Sequence, residues 1–135
     1  LETVRHNAIG KISYKATRKY DKKDNELEKV ENDANGNISS KYTYKYDERG
    51  KSSEKVEYDA GGNPIFKYSS KYDGKGNESE RVRHDANGKP IDKINFKYDE
   101  KGNKVMEAEY VLKIGFGEER YVPTAEKIWE FTYWD

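Results

Sequence analysis

The residues best suited to metal chemistry lie in short Asp-Gly motifs. In "DANGN", residues 33–37, Asp33, Asn35 and Asn37 place oxygen-bearing side chains at alternate positions, as at the start of a calcium-binding loop. An EF-hand loop would have glycine at its sixth position and glutamate at its twelfth. Here glycine is fourth and Tyr44 is twelfth. A tight turn requires the same Asp and Gly, so we predict a turn, with no metal and no other cofactor.

Groups suited to catalysis are sparse. The chain has no Cys, which excludes disulfides, thiolate metal sites and a cysteine nucleophile. His6 and His84 occupy repeat positions that elsewhere hold Asn or Tyr, so we expect them to fill those positions rather than act as bases or ligands. Ser pairs such as Ser39-Ser40 have no histidine and acidic residue beside them, as a catalytic triad would need. We therefore predict that the protein is not an enzyme.

The charge is balanced, with 26 basic and 26 acidic residues. Nucleic-acid binders usually carry a basic excess, so we expect no nucleic-acid partner. Arg81 and Arg83, in "SERVRH", give the densest local positive charge and form a candidate basic patch. The lysines, most of which have odd numbers, could form a face that meets phosphate, acidic glycan or lipid head groups. The alternative is a solvated surface of ion pairs. The chain has no apolar run long enough for a membrane-spanning helix, so we expect it not to span a membrane.

Tyrosine is the most distinctive residue, with 12 copies. In "KYTYKYDERGK", Tyr42, Tyr44 and Tyr46 alternate with polar residues, which is typical of one face of a strand. Aromatic rings in a row can stack against sugar rings or pack an extended peptide. The alternative is that they form the core. The candidate aromatic platform consists of Tyr42, Tyr44, Tyr58, Phe66 and Tyr68.

The elements that position these residues follow a repeat of 26 residues. Tyr46-Asp47 recurs at this spacing, for example as Tyr72-Asp73, and a second series runs through Tyr58-Asp59 and His84-Asp85. Each dipeptide opens a turn in which glycine three residues after Asp takes a positive φ and makes a bulge. Asp24 stands in the one slot without glycine, and Asp tolerates that conformation. The predicted turn glycines are Gly10, Gly36, Gly50, Gly62, Gly76, Gly88 and Gly102.

Between these turns the segments have the length of ordinary strands, and none has a sustained helical period. We predict an all-β fold: an elongated antiparallel meander of about nine or ten strands, built from double-hairpin repeats. Because the steps between turns are even, residues of one parity should share a face throughout. Tyr42 should then pair with Val56, with an aromatic and aliphatic even-numbered face and a lysine-rich odd-numbered face.

The end of the chain departs from the repeat. We assign 1–109 to the repeat sheet and 110–135, within the same domain, to a degenerate last repeat that acts as a C-terminal cap and also adds one or two strands, since repeat arrays need atypical ends. This segment loses the Asp-Gly turns and gains large aromatic residues that could cover the tyrosines. They are Phe116, Trp129, Phe131 and Trp134.

The motif Tyr-Asp-x-x-Gly followed by Asn or Lys, over roughly 6–109, resembles the YD repeat of Rhs-type and wall-associated bacterial proteins. Their usual motif ends Gly-Arg-Leu, and their repeats build large extracellular sheets or shells. This chain is too short to enclose a cargo, so the toxin-shell function is not carried over. The chain resembles small exported bacterial tandem-hairpin domains of unknown function more than it resembles these shell-forming proteins.

These observations favour a non-catalytic, exported or surface-associated protein that binds glycan or another envelope polymer through its tyrosines. The location would be secreted, periplasmic or at the cell surface, and the start at Leu1 rather than Met favours a chain whose leader has been removed. The alternative is a structural spacer or a protein–protein interaction module. Carbohydrate or another protein is the expected partner, with self-association through the tyrosines or the sheet edges as a further option.

Overall fold

The fold is all-β, as predicted. A computed structural model describes residues 1–115 and 117–131, and within them ten antiparallel strands form one open meander whose order follows the chain. These residues contain no helix, and so no helical segment long and apolar enough to cross a membrane. The strands are β1 (Glu2–His6), β2 (Ile12–Tyr20), β3 (Glu26–Asn32), β4 (Ile38–Tyr46), β5 (Ser52–Tyr58), β6 (Pro64–Tyr72), β7 (Glu78–His84), β8 (Pro90–Tyr98), β9 (Lys104–Gly115) and β10 (Glu118–Ile128).

The turns form where the Asp-Gly motifs predict them. In the turn between β4 and β5, the Asp47 carboxylate accepts hydrogen bonds from the backbone N–H groups of Arg49 and Lys51, at 3.0 and 2.8 Å. The N–H of Gly50, at φ 75°, donates to the carbonyl of Asp47. All seven predicted glycines have positive φ, and Asp24 has φ 63°. The predicted use of Asp24 in place of glycine is therefore confirmed.

A second irregularity beyond the turn overturns the predicted register. Tyr46 pairs with Ser52, but Lys45 pairs with Glu54, so Ser53 is an extra residue on β5. Such a bulge shifts the pairing by one residue. Tyr42 therefore pairs with Glu57, and the prediction that it pairs with Val56 is wrong.

The bulge recurs beside other turns of the meander, each time on the strand after the turn and next to the partner of the residue that precedes the turn Asp or Asn. Because each bulge inverts parity, even-numbered residues of one strand share a face with odd-numbered residues of the next. The prediction that the even-numbered residues form one aromatic face and the odd-numbered residues one lysine-rich face is consequently wrong. The shifts beside these turns lie at Arg5/His6, Lys19/Tyr20, Glu31/Asn32, Lys45/Tyr46, Arg83/His84 and Lys97/Tyr98. A further shift, between Pro123 and Ala125, lies within β10.

The chain divides into two compact units, Leu1–Lys67 and Tyr68–Asp135. Among the described residues only three side chains are buried, Ala16 in the first unit and Phe96 and Ala108 in the second. Ala16 pairs with Thr3 on one side and Glu31 on the other, so longer neighbours cover its methyl group. Contacts between side chains on adjacent strands, rather than a thick core, stabilise such a sheet.

The segment predicted as a cap continues the sheet. It supplies the last residues of β9 and all of β10. Trp129 and Phe131 follow β10 and are exposed by 38% and 47%. Phe116 and Trp134 lie outside the described residues. The division at residue 109 and the capping role stay predictions.

Candidate functional site

The Asp-Gly motifs use their carboxylates to hold turns. Oδ1 of Asp33 accepts hydrogen bonds from the backbone N–H groups of Asn35 and Asn37, at 2.8 and 3.0 Å. These bonds stabilise the charged carboxylate and hold the pKa of Asp33 below its ordinary value, and the bond from Asn37 has the largest effect. Nowhere in 1–115 or 117–131 do three or more His, Asp or Glu side chains come together as a metal site would require. The geometry of this motif is that of the predicted turn.

The first unit carries a surface that we call the tyrosine face. It comprises the even-numbered residues of β2 and β4 and the odd-numbered residues of β3 and β5 beyond their bulges, because these residues pair with one another. Tyr42 lies near its middle and is half-buried. The ammonium group of Lys55 lies 4.4 Å from the centre of the Tyr42 ring, and that of Lys29 lies 5.9 Å away. Both distances fit cation–π contacts.

The other two tyrosines of this row are held closely by the sheet. The pKa of Tyr44 is raised to about 12. Burial is the largest cause, and the negative charge of Glu26 is the second. The Tyr46 hydroxyl donates a hydrogen bond of 2.8 Å to the backbone carbonyl of Glu26, and burial raises the pKa of Tyr46. Both phenols are therefore uncharged at neutral pH and present rings without added charge.

The structure brings only some of the predicted platform together. Tyr58 pairs with Lys41, and its hydroxyl lies 3.3 Å from Oγ1 of Thr43, so Tyr58 lies on the opposite face of the first unit from Tyr42. Lys67 contacts Glu54 on that opposite face at 2.6 Å. Side-chain alternation along β6 then places the neighbouring Phe66 on the tyrosine face. Tyr68 belongs to the second unit.

A polar cluster on the tyrosine face was missed by the sequence analysis. Glu31 accepts hydrogen bonds from the hydroxyl groups of Tyr14, at 2.8 Å, and Ser40, at 2.5 Å, and forms an ion pair with Lys29. These bonds lower the pKa of Glu31 to about 2, although burial opposes the shift. The bond from Lys29 has the largest effect, followed by those from Ser40 and Tyr14. These residues lie on three strands and meet only in the bulged register, so no local sequence signal identifies them.

The second unit contains an open depression of about 300 Å³. It arises where two cross-strand rows lie side by side. In one row Arg83 pairs with Asp92, which pairs with Val111 on its other side. In the other row Arg81 pairs with Ile94, which pairs with Glu109 on its other side. The other lining residues are Tyr68, Lys93, Tyr110 and Thr124.

The candidate basic patch lies in this depression, but its charges are matched. Arg81 donates two hydrogen bonds to the Glu78 carboxylate, at 2.9 and 2.5 Å, and Glu78 is the main cause of the raised pKa of Arg81. Arg83 donates to Asp92. The structure thus brings Arg81, Arg83 and Tyr68 together, in a setting of ion pairs rather than of free positive charge.

The two histidines lie apart in the sequence and in separate units. His6 ends β1, is exposed and pairs with Ile12. His84 ends β7 and pairs with Pro90. Each immediately precedes a turn, at a register shift, and the prediction that they fill repeat positions stays a prediction.

No protein-family model and no curated protein matches the chain. The solved structures that match the chain include two that do so at low identity and with TM-scores below 0.5. One is a porin-like protein from Bacteroides uniformis ATCC 8492, with a TM-score of 0.47 and 15% identity over 89% of this chain and 50% of that one. The other is the Tc holotoxin pore of Photorhabdus luminescens, with a TM-score of 0.34 and 14% identity over 75% of this chain and 6% of that one. The chain thus spans half of the first protein and a small part of the second. The resemblance to YD-repeat proteins stays a prediction.

Proposed function

We propose that the protein is a non-catalytic, exported or surface-associated module that binds a glycan or another envelope polymer. The tyrosine face of the first unit is the binding surface, with Tyr42 as its central ring and Tyr44 and Phe66 beside it. A polymer chain would lie on this face with the apolar side of a sugar ring against an aromatic ring. The hydroxyl groups of the sugar would bond to the flanking charged side chains.

The observation that carries this proposal is the half-buried state of Tyr42 between Lys29 and Lys55. A core residue would be buried, and Ala16 alone is buried among the residues of the first unit. The two ammonium groups order the ring without covering it completely. A ring held in place loses little conformational freedom on binding, which favours affinity.

The opposite face of the first unit supports the alternative, a structural spacer or protein–protein interaction module. Glu28 contacts Lys19 and Lys41 at 2.7 and 3.1 Å, and Glu54 contacts Lys45 and Lys67 at 2.8 and 2.6 Å. Such a ladder of ion pairs leaves a hydrated, charge-balanced surface. A spacer that must stay soluble and avoid edge-to-edge aggregation would have this surface.

Affinity electrophoresis tests the proposal. The protein is run through gels that contain one member each of a panel of neutral and acidic polysaccharides, and retardation is measured. Tyr42→Ala should abolish retardation, whereas Tyr58→Ala, the same change on the opposite face, should leave it intact. Circular dichroism checks that both variants are folded. Equal retardation of both variants would contradict the assigned surface, and no retardation by any polymer would favour the spacer.

A further inference from the structure

We propose that the depression in the second unit is a binding site for one uncharged, hydroxyl-rich sugar residue. The proposal deepens the proposed function and rests on it, since the residue would belong to the polymer that the protein binds. It adds a second binding site, on the second unit, and specifies that the ligand is uncharged. The site consists of Tyr68, Arg83, Asp92, Ile94, Glu109 and Val111.

The lining has the two kinds of surface that a sugar ring presents. Ile94 and Val111 lie diagonally on neighbouring strands, one row apart, and give an apolar area that suits the C–H side of a pyranose. Tyr68, which also lines the depression, offers an aromatic ring for the same purpose. Recognition sites of small molecules commonly combine an apolar lining with a few well-placed polar groups.

The polar groups suit hydroxyls, which both donate and accept hydrogen bonds. The carboxylates of Asp92 and Glu109 accept, and the guanidinium group of Arg83 donates. The side chains of Arg83 and Asp92 are 37% and 26% exposed, so a ligand can reach them. Because the two groups also bond to each other, each has a fixed orientation before a ligand arrives.

The charge balance selects against anions. Arg81 and Arg83 already bond to Glu78 and Asp92. Lys93 lies between Asp92 and Ile94 on β8, so strand alternation places its side chain on the other face, where its ammonium group lies 4.5 and 5.3 Å from the rings of Tyr121 and Tyr110. A phosphate or a sugar carboxylate would have to displace an internal carboxylate, and the released carboxylate would repel it. An uncharged ligand bonds to the same groups without breaking any ion pair.

The size limits the ligand to about one sugar residue. The volume of about 300 Å³ is at the lower end of the range for small-molecule sites, roughly 300–1,000 Å³. The depression is open, so the neighbouring residues of a polymer can extend into solvent from both ends of the bound unit. We therefore expect weak binding of a single saccharide and tighter binding of the polymer that contains it.

Nuclear magnetic resonance titration of the full chain tests the site. The probes are neutral oligosaccharides built from hexose or N-acetylhexosamine units, acidic oligosaccharides built from uronic acid units, and inorganic phosphate. Neutral probes should shift the amide signals of β8 and β9. Val111→Phe, which fills the depression, should weaken binding about tenfold or more. Leu112→Phe, the same kind of change one residue along and on the other face, should leave affinity unchanged.

A second variant guards against misfolding of the first. Asp92→Asn keeps the shape and removes a carboxylate, and it should also weaken neutral binding while making phosphate binding stronger. A preference of the unaltered protein for uronic acid probes or phosphate would overturn the inference. So would neutral binding that Val111→Phe and Asp92→Asn both leave unchanged.

The outcome also separates this inference from the proposed function. Retardation by a polymer that depends on Tyr42, together with no shift in β8 or β9 for any probe, would overturn the second-unit site alone. No retardation by any polymer and no shift by any probe would overturn both proposals.

Discussion

The ammonium nitrogen of Lys55 lies 4.4 Å from the centre of the Tyr42 ring on the neighbouring strand. Lys55 pairs directly with Tyr44, so it reaches Tyr42 diagonally across the sheet. Diagonal neighbours are within reach of long and aromatic side chains. The contact exists only because the bulge at Tyr46 brings odd-numbered residues of β5 to the face of the even-numbered tyrosines.

We expect Lys55→Met to lower the free energy of unfolding by about 0.5–1 kcal/mol, the usual contribution of a partly exposed cation–π contact. Methionine keeps the apolar stem and removes the charge. Lys51→Met, at an exposed position in the preceding turn, is the matched control and should have almost no effect. Urea unfolding measures both. A double-mutant cycle with Tyr42→Leu should give a coupling energy of similar size, and a coupling of zero would contradict the contact.

The bulged register can be tested with cysteines, because the chain has none of its own. Paired residues on adjacent strands have Cβ atoms about 4.5–5.5 Å apart, close to what a disulfide needs. The double variant Tyr42→Cys/Glu57→Cys should therefore form a disulfide readily on air oxidation. In Tyr42→Cys/Val56→Cys the two thiols lie on opposite faces and should stay reduced. Mass spectrometry after alkylation distinguishes the two results, and the reverse pattern would refute the register.

Turn glycines with positive φ should be more sensitive to substitution than turn glycines without it. A Cβ at Gly62, with φ 83°, meets no atom within 4 Å, and the same is true at Gly74, which has no positive φ. Gly62→Ala should cost about 1–2 kcal/mol because alanine resists the left-handed conformation. Gly74→Ala should be neutral or stabilise by up to about 1 kcal/mol, since it restricts the unfolded chain. Thermal unfolding compares them, and equal melting temperatures would rule out this account of the turns.

The cluster around Glu31 should make stability depend on pH in the acid range. Its pKa in the folded protein is about 2, against an ordinary value of 4.5. A carboxylate with a lowered pKa stabilises the fold fully above its unfolded pKa. That stabilisation is lost as the pH falls from about 4.5 to about 2. The Glu31 side chain is 21% exposed, so we expect a contribution on the order of 2 kcal/mol rather than the full value of the shift.

Glu31→Gln removes this contribution. The variant should be less stable than the unaltered protein at pH 7, and the difference should shrink as the pH is lowered toward 2. Tyr14→Phe and Ser40→Ala each remove one hydrogen bond to Glu31 and should have smaller effects of the same form. Urea unfolding at several pH values measures the series. A difference that stays constant from pH 7 to pH 2 would show that Glu31 does not titrate as described.

The turns and the strand order were predictable because each depends on a local motif. Asp47 and Gly50 determine one turn by themselves, and repetition of the motif gives the meander. The second bulge was not predictable, because the extra residue has no constant chemistry. It is Ser53 in one hairpin and Leu27 in another. Because side chains alternate along a strand, one unpredicted extra residue moves every later residue of that strand to the other face relative to its partner strand.

The same inversion limited prediction of the site. Tyr42 and Tyr58 have the same parity, yet the bulge places them on opposite faces of the first unit. Arg81 and Arg83 were predicted as a patch from their closeness in sequence. Their pairing with Ile94 and Asp92 depends on the register across β7 and β8. The depression, and the neutralisation of its charges, could therefore be recognised only from the structure.

The bulges also determine which lengths of chain could be copied in evolution without exchanging the two faces. Tyr42 lies 14 residues from Val56, one bulge intervenes, and the two side chains lie on opposite faces. Ala16 lies 26 residues from Tyr42, two bulges intervene, and the two side chains share a face. A gene duplication of the segment from one turn to the next would thus place the copied tyrosines on the opposite face. Duplication of two such segments, 26 residues in all, would keep them on the same face. The double hairpin is the smallest segment whose duplication keeps the tyrosine face intact.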